Sequence, residues 1–131
     1  MATNTEIMTS FYTIVRDSTI VPSASIGYDG KSFTPPNTGN WLELSFMPNR
    51  GIDQSLSSNA ILKQGLLQVN IGGRPNQGIA GLQAIADQVA ALFPKNTVLS
   101  GIARVSSIPY ASDDISMDDR TILPVTISYS E

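Results

Sequence analysis

Neither cysteine nor histidine occurs in this chain, and tryptophan occurs once. Without cysteine there is no disulfide, no thiolate nucleophile and no cysteine-held zinc. Without histidine the usual general base near neutral pH and the commonest metal ligand are missing too. No serine then has a partner to activate it, and the sequence reads as no enzyme. Charge is thin, with 15% charged residues and a net charge of −3. The eight basic residues (Arg16, Lys31, Arg50, Lys63, Arg74, Lys95, Arg104 and Arg120) stand far apart. Direct nucleic-acid binding is disfavoured, because phosphate recognition draws on clustered positive charge. No apolar run nears the roughly 20 residues of a membrane span, so no membrane partner is expected. The opening MATNTEIMTSFYTIVRD lacks a basic region followed by a short apolar core, so no signal peptide is expected.

What is present suits one domain over residues 1–131. A chain of this size buries about two-thirds of its unfolded surface and needs no metal or disulfide staple. The stretch from Gly65 to Pro94, GLLQVNIGGRPNQGIAGLQAIADQVAALFP, organises the rest. It reads as a buried strand, a glycine-rich turn and the main helix, over about 78–93. Ile79, Leu82, Ile85, Ala86, Val89, Leu92 and Phe93 recur at steps of three and four, which places them on one side of a helix. About fifteen residues at about 1.5 Å each give an element about 22 Å long. Asn76 or Gln77 stands where a cap belongs, Gly72 and Gly73 are expected to end the strand, and Pro94 bars continuation. The outer face carries Ala80, Ala84, Gln88 and Ala91 with one charge, Asp87. That bland surface suits either contact with a second subunit or simple helix propensity.

Along the chain, a first helix is expected over about 5–17, with Ile7, Phe11 and Ile14–Val15 as its apolar stripe and Thr5 or Asn4 as its cap. Residues 19–40 form a connector broken by Pro22, Asp29–Gly30 and Pro35–Pro36, with a short strand at Ile26–Tyr28 and Phe33 as an anchor. A strand pair follows over 41–71: WLELSFMP alternates Leu42, Leu44 and Phe46 against Trp41, Glu43 and Ser45. The strand Ile61–Ile71 places Leu67, Val69 and Ile71 on one face. Strands over 101–130 close the chain. They comprise a third main strand at Ile102–Ile108, a polar loop from Pro109 to Arg120, and a last strand Thr121–Ser130 with Pro124 arguing for an edge position. The expected fold is α+β, a single domain with an antiparallel or mixed sheet of about four main strands and two helices packed on one face.

Candidate chemistry is sparse. Asp113, Asp114, Asp118 and Asp119 form the strongest charge cluster. They lack the alternation, glycine and terminal glutamate of a calcium loop, and flanking Ser112, Ser116 and Arg120 suggest a solvated or partner-facing loop. GGRPNQG lacks the lysine of a Walker loop and the spacing of a dinucleotide fingerprint. No cofactor, metal or catalytic residue is expected.

The order of pieces along the chain says more than any one of them. A short N-terminal helix, Tyr28 with Phe33-Thr34-Pro35-Pro36, Asn40-Trp41-Leu42 opening a strand, and Gln64-Gly65-Leu66-Leu67-Gln68-Val69 follow in turn. A glycine turn at Gly78 enters an alanine-rich helix ending Ala91-Leu92-Phe93, and Pro124-Val125-Thr126-Ile127 closes the chain. This succession, over about residues 5–131, resembles the tail terminator proteins of long-tailed, non-contractile phages of the lambda type. The resemblance implies a structural virion protein at the tail–neck junction, assembled in the host cytoplasm. It implies a homo-oligomeric ring of about six subunits, capping the tail tube protein, ending tube growth and meeting the head–tail connector or head-closure protein. DNA would pass the lumen without specific binding, which the acidic balance suits. A ring needs two different complementary patches. The candidates are Arg50, Asp53 and Ser57 in the long polar loop, Ala80, Ala84 and Gln88 on the helix, and Asp113, Asp114, Asp118 and Asp119. The alternatives are a head-closure or tail-tube subunit, or a small metal- or ligand-binding domain built on the aspartates.

Overall fold

Three long strands carry the sheet, and their register decides where the core lies. In a computed structural model, residues 3–31, 33–35, 39–48, 52–53, 61–62, 64–74, 79–101, 103–117 and 120–131 are described. Helix α1 spans Asn4–Asp17, and a 3-10 turn at Ser23–Ser25 leads into β1, Ile26–Tyr28. Strands β2 (Trp41–Pro48), β3 (Ile52–Asp53), β4 (Ile61–Leu62) and β5 (Gln64–Gly73) precede helix α2, Ala80–Leu92. Then come β6 (Val98–Ser100), β7 (Ala103–Val105), β8 (Tyr110–Ala111), β9 (Ile115–Ser116) and β10 (Thr121–Ser130). The main sheet has the order β1-β2-β5-β10-β7-β6, with β8 and β9 also paired to β10; β3 and β4 make a separate hairpin stem. β1 runs parallel to β2, whereas β5 runs antiparallel to both of its neighbours, β2 and β10.

The register lines up three apolar rungs: Leu42–Ile71–Leu123, Leu44–Val69–Val125 and Phe46–Leu67–Ile127. Because strand side chains alternate, all nine point to one face. Ile7, Phe11 and Val15 of α1 and Leu82, Ala86 and Val89 of α2 close over them with Phe93, forming one cluster. Burying each large side chain is worth roughly 1.5–3 kcal/mol before chain entropy. Helix α1 touches both β2 and β6, and Ser100 Oγ lies 3.3 Å from Glu6 Oε2. Those strands stand four places apart in the order, so the sheet curls around the helices.

Several expectations are corrected. About four main strands become eight in the main sheet, because short segments patch both flanks of the long trio. The cap of α1 is Thr3, whose Oγ1 accepts the Glu6 N–H at 3.1 Å. The Thr3 hydroxyl also donates to Glu6 Oε1 at 3.1 Å, and this cap starts the helix at Asn4. Helix α2 begins at Ala80, and Ile79 at its N-cap is 46% exposed rather than part of the apolar stripe. Asn76, Gln77 and Gly78 lie outside the described residues. β5 runs past Ile71 and ends on the two glycines, with Gly72 and Gly73 paired to Ile122 and Thr121. The third main strand shrinks to Ala103–Val105, and Ile108 is 76% exposed.

Pro124 does not mark an edge strand. Its carbonyl accepts the Ser112 N–H at 2.9 Å, so its nitrogen faces the same outer side, in the gap between the β8 and β9 pairings. There the missing N–H breaks no ladder with β5.

Phe33 does anchor the connector, seated over Gly27 so closely that a Cβ would come within 2.7 Å of its ring. Beyond the end of β1, the Asp29 carboxylate accepts the Phe46 N–H at 2.8 Å and covers part of the open β2 edge. No helix among the described residues is long and apolar enough to cross a membrane.

Candidate assembly surface

The segment from Ser106 to Met117 reads as polar in sequence, yet it holds the densest exposed apolar surface among the described residues. It is laced along the outer edge of β10. Ser106 N–H donates to the Ser128 carbonyl at 2.8 Å. Tyr110 and Ala111 lie opposite Thr126 and Val125, and Ile115 and Ser116 opposite Ile122 and Thr121. Met117 N–H then turns back onto the Arg120 carbonyl at 2.7 Å. These backbone bonds hold the arm in place while its side chains stay out. Ile108 is 76% exposed, Tyr110 57%, and Ile115 and Met117 48% each. Asp113 and Asp114 are exposed between them. Scattered apolar residues on a surface need no explanation, but four on one short segment mark a contact surface.

The sequence signal existed and was overshadowed by the aspartates. Ile108 and Tyr110, like Ile115 and Met117, stand two apart, so each pair faces one way if the segment is extended. Their polar neighbours hid that alternation.

The helix candidates Ala80, Ala84, Gln88 and Ala91 are all exposed on α2, beside an in-helix bond from Gln83 Nε2 to Asp87 at 3.1 Å. Asp53 falls in β3, whereas Arg50, Ser57, Asp118 and Asp119 lie outside the described residues. The structure therefore brings Asp113 and Asp114 onto the apolar arm and places the alanines on a different surface. Among the described residues no group of three or more acidic side chains gathers to hold a metal.

Folding gathers two of the scattered bases on the opposite sheet face. Trp41 is 1% exposed but lies outside the helix-facing cluster. Its indole rests on Gly72, where any Cβ would overlap the ring. Arg74 and Arg120 place their guanidinium carbons 5.2 and 5.8 Å from its centroid, within cation–π range. Glu43 Oε1 accepts the indole N–H at 3.0 Å and pairs with Arg120 at 3.5 Å. This is a packed polar lid that fixes the end of β2, with a ring fully spent on its neighbours.

A groove of about 440 Å³ opens at the other end of the sheet, lined by Met8, Tyr12, Tyr28 and Asp29 with Arg16 and Lys31. The Tyr12 and Tyr28 rings meet with centroids 4.9 Å apart. Burial, then the nearby Asp29 carboxylate, raises the Tyr12 pKa; burial, then Glu131, raises that of Tyr129. Both phenols thus keep their protons at any ordinary pH and stay uncharged.

Comparison with known proteins places these surfaces in context. The comparison with curated proteins yields no match. One solved structure matches over 99% of this chain and 96% of its own, at 23% identity and a TM-score of 0.79. A second, from the virion of a native gene transfer agent particle, matches over 98% of this chain and 93% of its own, at 13% identity and a TM-score of 0.52. These likenesses concern the fold. The family model described as phage tail terminator protein matches residues 6–129, nearly the whole chain, from the first turn of α1 nearly to the end of β10. The chain belongs to the phage tail terminator family, a family of structural virion proteins.

Proposed function

We propose that this protein forms a ring of about six copies that caps the finished tail tube at the tail–neck junction, stops tube growth and offers the surface that the head–tail connector or head-closure protein meets. Assembly takes place in the host cytoplasm. The observation that carries the ring is the exposed apolar arm, Ile108 to Met117, held rigidly on β10 in a protein of this family. A surface of that kind is costly to leave in water and suits a subunit contact. A closed ring needs two unlike patches on each subunit. The arm with Asp113, Asp114, Asp118 and Asp119 supplies one. The α2 face at Ala80, Ala84 and Gln88 and the β3–β4 hairpin with Arg50, Asp53 and Ser57 offer surfaces for the tube and the head side. The net charge of −3 suits a lumen through which DNA slides without specific binding.

The test is a tube-growth assay. Tail tube protein polymerising in the presence of this protein should stop at shorter lengths, with one ring per tube end. Tubes of unchanged length with bare ends would contradict the capping role. The broader reading, another ring of the neck or tail, draws support from the gene transfer agent virion chain of the same fold. Stacking of this protein into tubes of its own would favour it.

A further inference from the structure

The arm and the α1–β1 groove are complementary, and a single copy holds them apart. Residues 106–117 contain two carboxylates, Asp113 and Asp114, and no base. The groove has an aromatic and thioether floor of Tyr12, Tyr28 and Met8, with Lys31 and Arg16 at its rim. Two carboxylates adjoin that rim, and both are engaged: Asp29 accepts the Phe46 N–H at 2.8 Å, and Asp17 pairs with Arg16 at 3.3 Å. The Arg16–Asp17 pair is largely exposed, 55% and 65%, so it holds Arg16 only weakly. Among the described residues, Lys31 pairs with no carboxylate and neither Asp113 nor Asp114 pairs with a base. Unspent charge of opposite sign therefore borders two apolar surfaces.

Their placement decides which copy can join them. The arm lies on the outer edge of β10, while β1 ends the sheet on the far side of β5 and β2. The strands between them make four spacings, roughly 19 Å at about 4.8 Å each along the sheet. We infer that the arm of one subunit docks in the α1–β1 groove of a second copy of this chain. Ile108, Tyr110, Ile115 and Met117 cover the Tyr12–Tyr28 floor, and Asp113 and Asp114 approach Lys31 and Arg16. The contact joins unlike surfaces, so each copy gives its arm to one neighbour and its groove to the other. That is the head-to-tail geometry from which a ring closes. The inference rests on the ring-forming reading and specifies its interface.

The absence of cysteine makes the test clean. In the double variant Lys31→Cys with Asp114→Cys, mild oxidation should link neighbours, because a disulfide needs Cα atoms within about 7 Å. The expected result is a ladder of covalent multimers up to ring size on a non-reducing gel, collapsed by reductant. Each single variant should stop at a dimer. Ile108→Asp, at a site outside the strands, should raise the concentration needed for assembly at least about tenfold, with an unchanged melting temperature. Rings in native mass spectra without a ladder from the double variant would overturn the arm-in-groove contact and leave the ring reading standing. A chain that stays monomeric with tube present and yields no ladder would overturn both.

Discussion

Two sets of apolar side chains flank β10 and meet opposite fates. Leu123, Val125 and Ile127 point toward the helices and are at most 3% exposed. Ile108, Tyr110, Ile115 and Met117 run along the same strand's outer edge and stay in water. The inner set belongs to three rungs shared with β2 and β5, so each side chain has an apolar β5 partner beside it and helices above the sheet. The outer set sits on and beside the two-residue strands β8 and β9, which no helix covers. Similar residues therefore do different work: the inner set supplies the stability of the subunit, and the outer set supplies a surface that another molecule can bury.

That contrast should be visible in mutational effects, beginning with the core. Phe11, fully buried against Phe93 with centroids 5.4 Å apart, should cost about 3–5 kcal/mol when replaced by alanine. Urea unfolding measures the loss. Gly72→Ala should cost about 1–3 kcal/mol, since the new methyl must displace the Trp41 indole from its seat. A red shift in the fluorescence of the one tryptophan would report that movement, and unchanged emission would show that the lid absorbs it.

Much of the inner set was legible in the sequence, and the reasons are local. Alternation in WLELSFMP and QVNI, and the three-and-four spacing of Leu82, Ala86 and Val89, set the faces before any contact was known. The long-range parts were not legible. Nothing in Ile26–Tyr28 announces parallel pairing with β2, and Pro124 signals an edge unless the side its nitrogen faces is known. The Arg74–Trp41–Arg120 lid joins residues at the ends of three strands, β5, β2 and β10. The arm reads as polar because two adjacent aspartates interrupt two short alternating pairs. Its place beside β10, which turns those pairs outward, is a property of the sheet.

Smaller effects sharpen the contrast on the outer side. Ile108→Ser should change subunit stability by no more than about 0.5 kcal/mol, as for an ordinary surface site, yet weaken assembly. A thermal melt beside a sedimentation profile separates the two. The smallest effect concerns the tyrosines. The pKa values of Tyr12 and Tyr129 are raised above 10.0 by burial first and by Asp29 and Glu131 next. The folded state then holds those protons more tightly than the unfolded chain. Their contribution should be fully present below pH 10.0 and be lost as the pH climbs past it. Phenolate absorbance followed alongside circular dichroism should show two late-titrating tyrosines, and Tyr129→Phe should remove one of them.

The most direct test of the central claim is native mass spectrometry across a concentration series, with negative-stain images of the same samples and purified tail tube added to a parallel set. Closed single rings of about six subunits, free or seated on tube ends and without stacking, are expected. Open stacks, or a strict monomer that leaves tube ends bare, would contradict it.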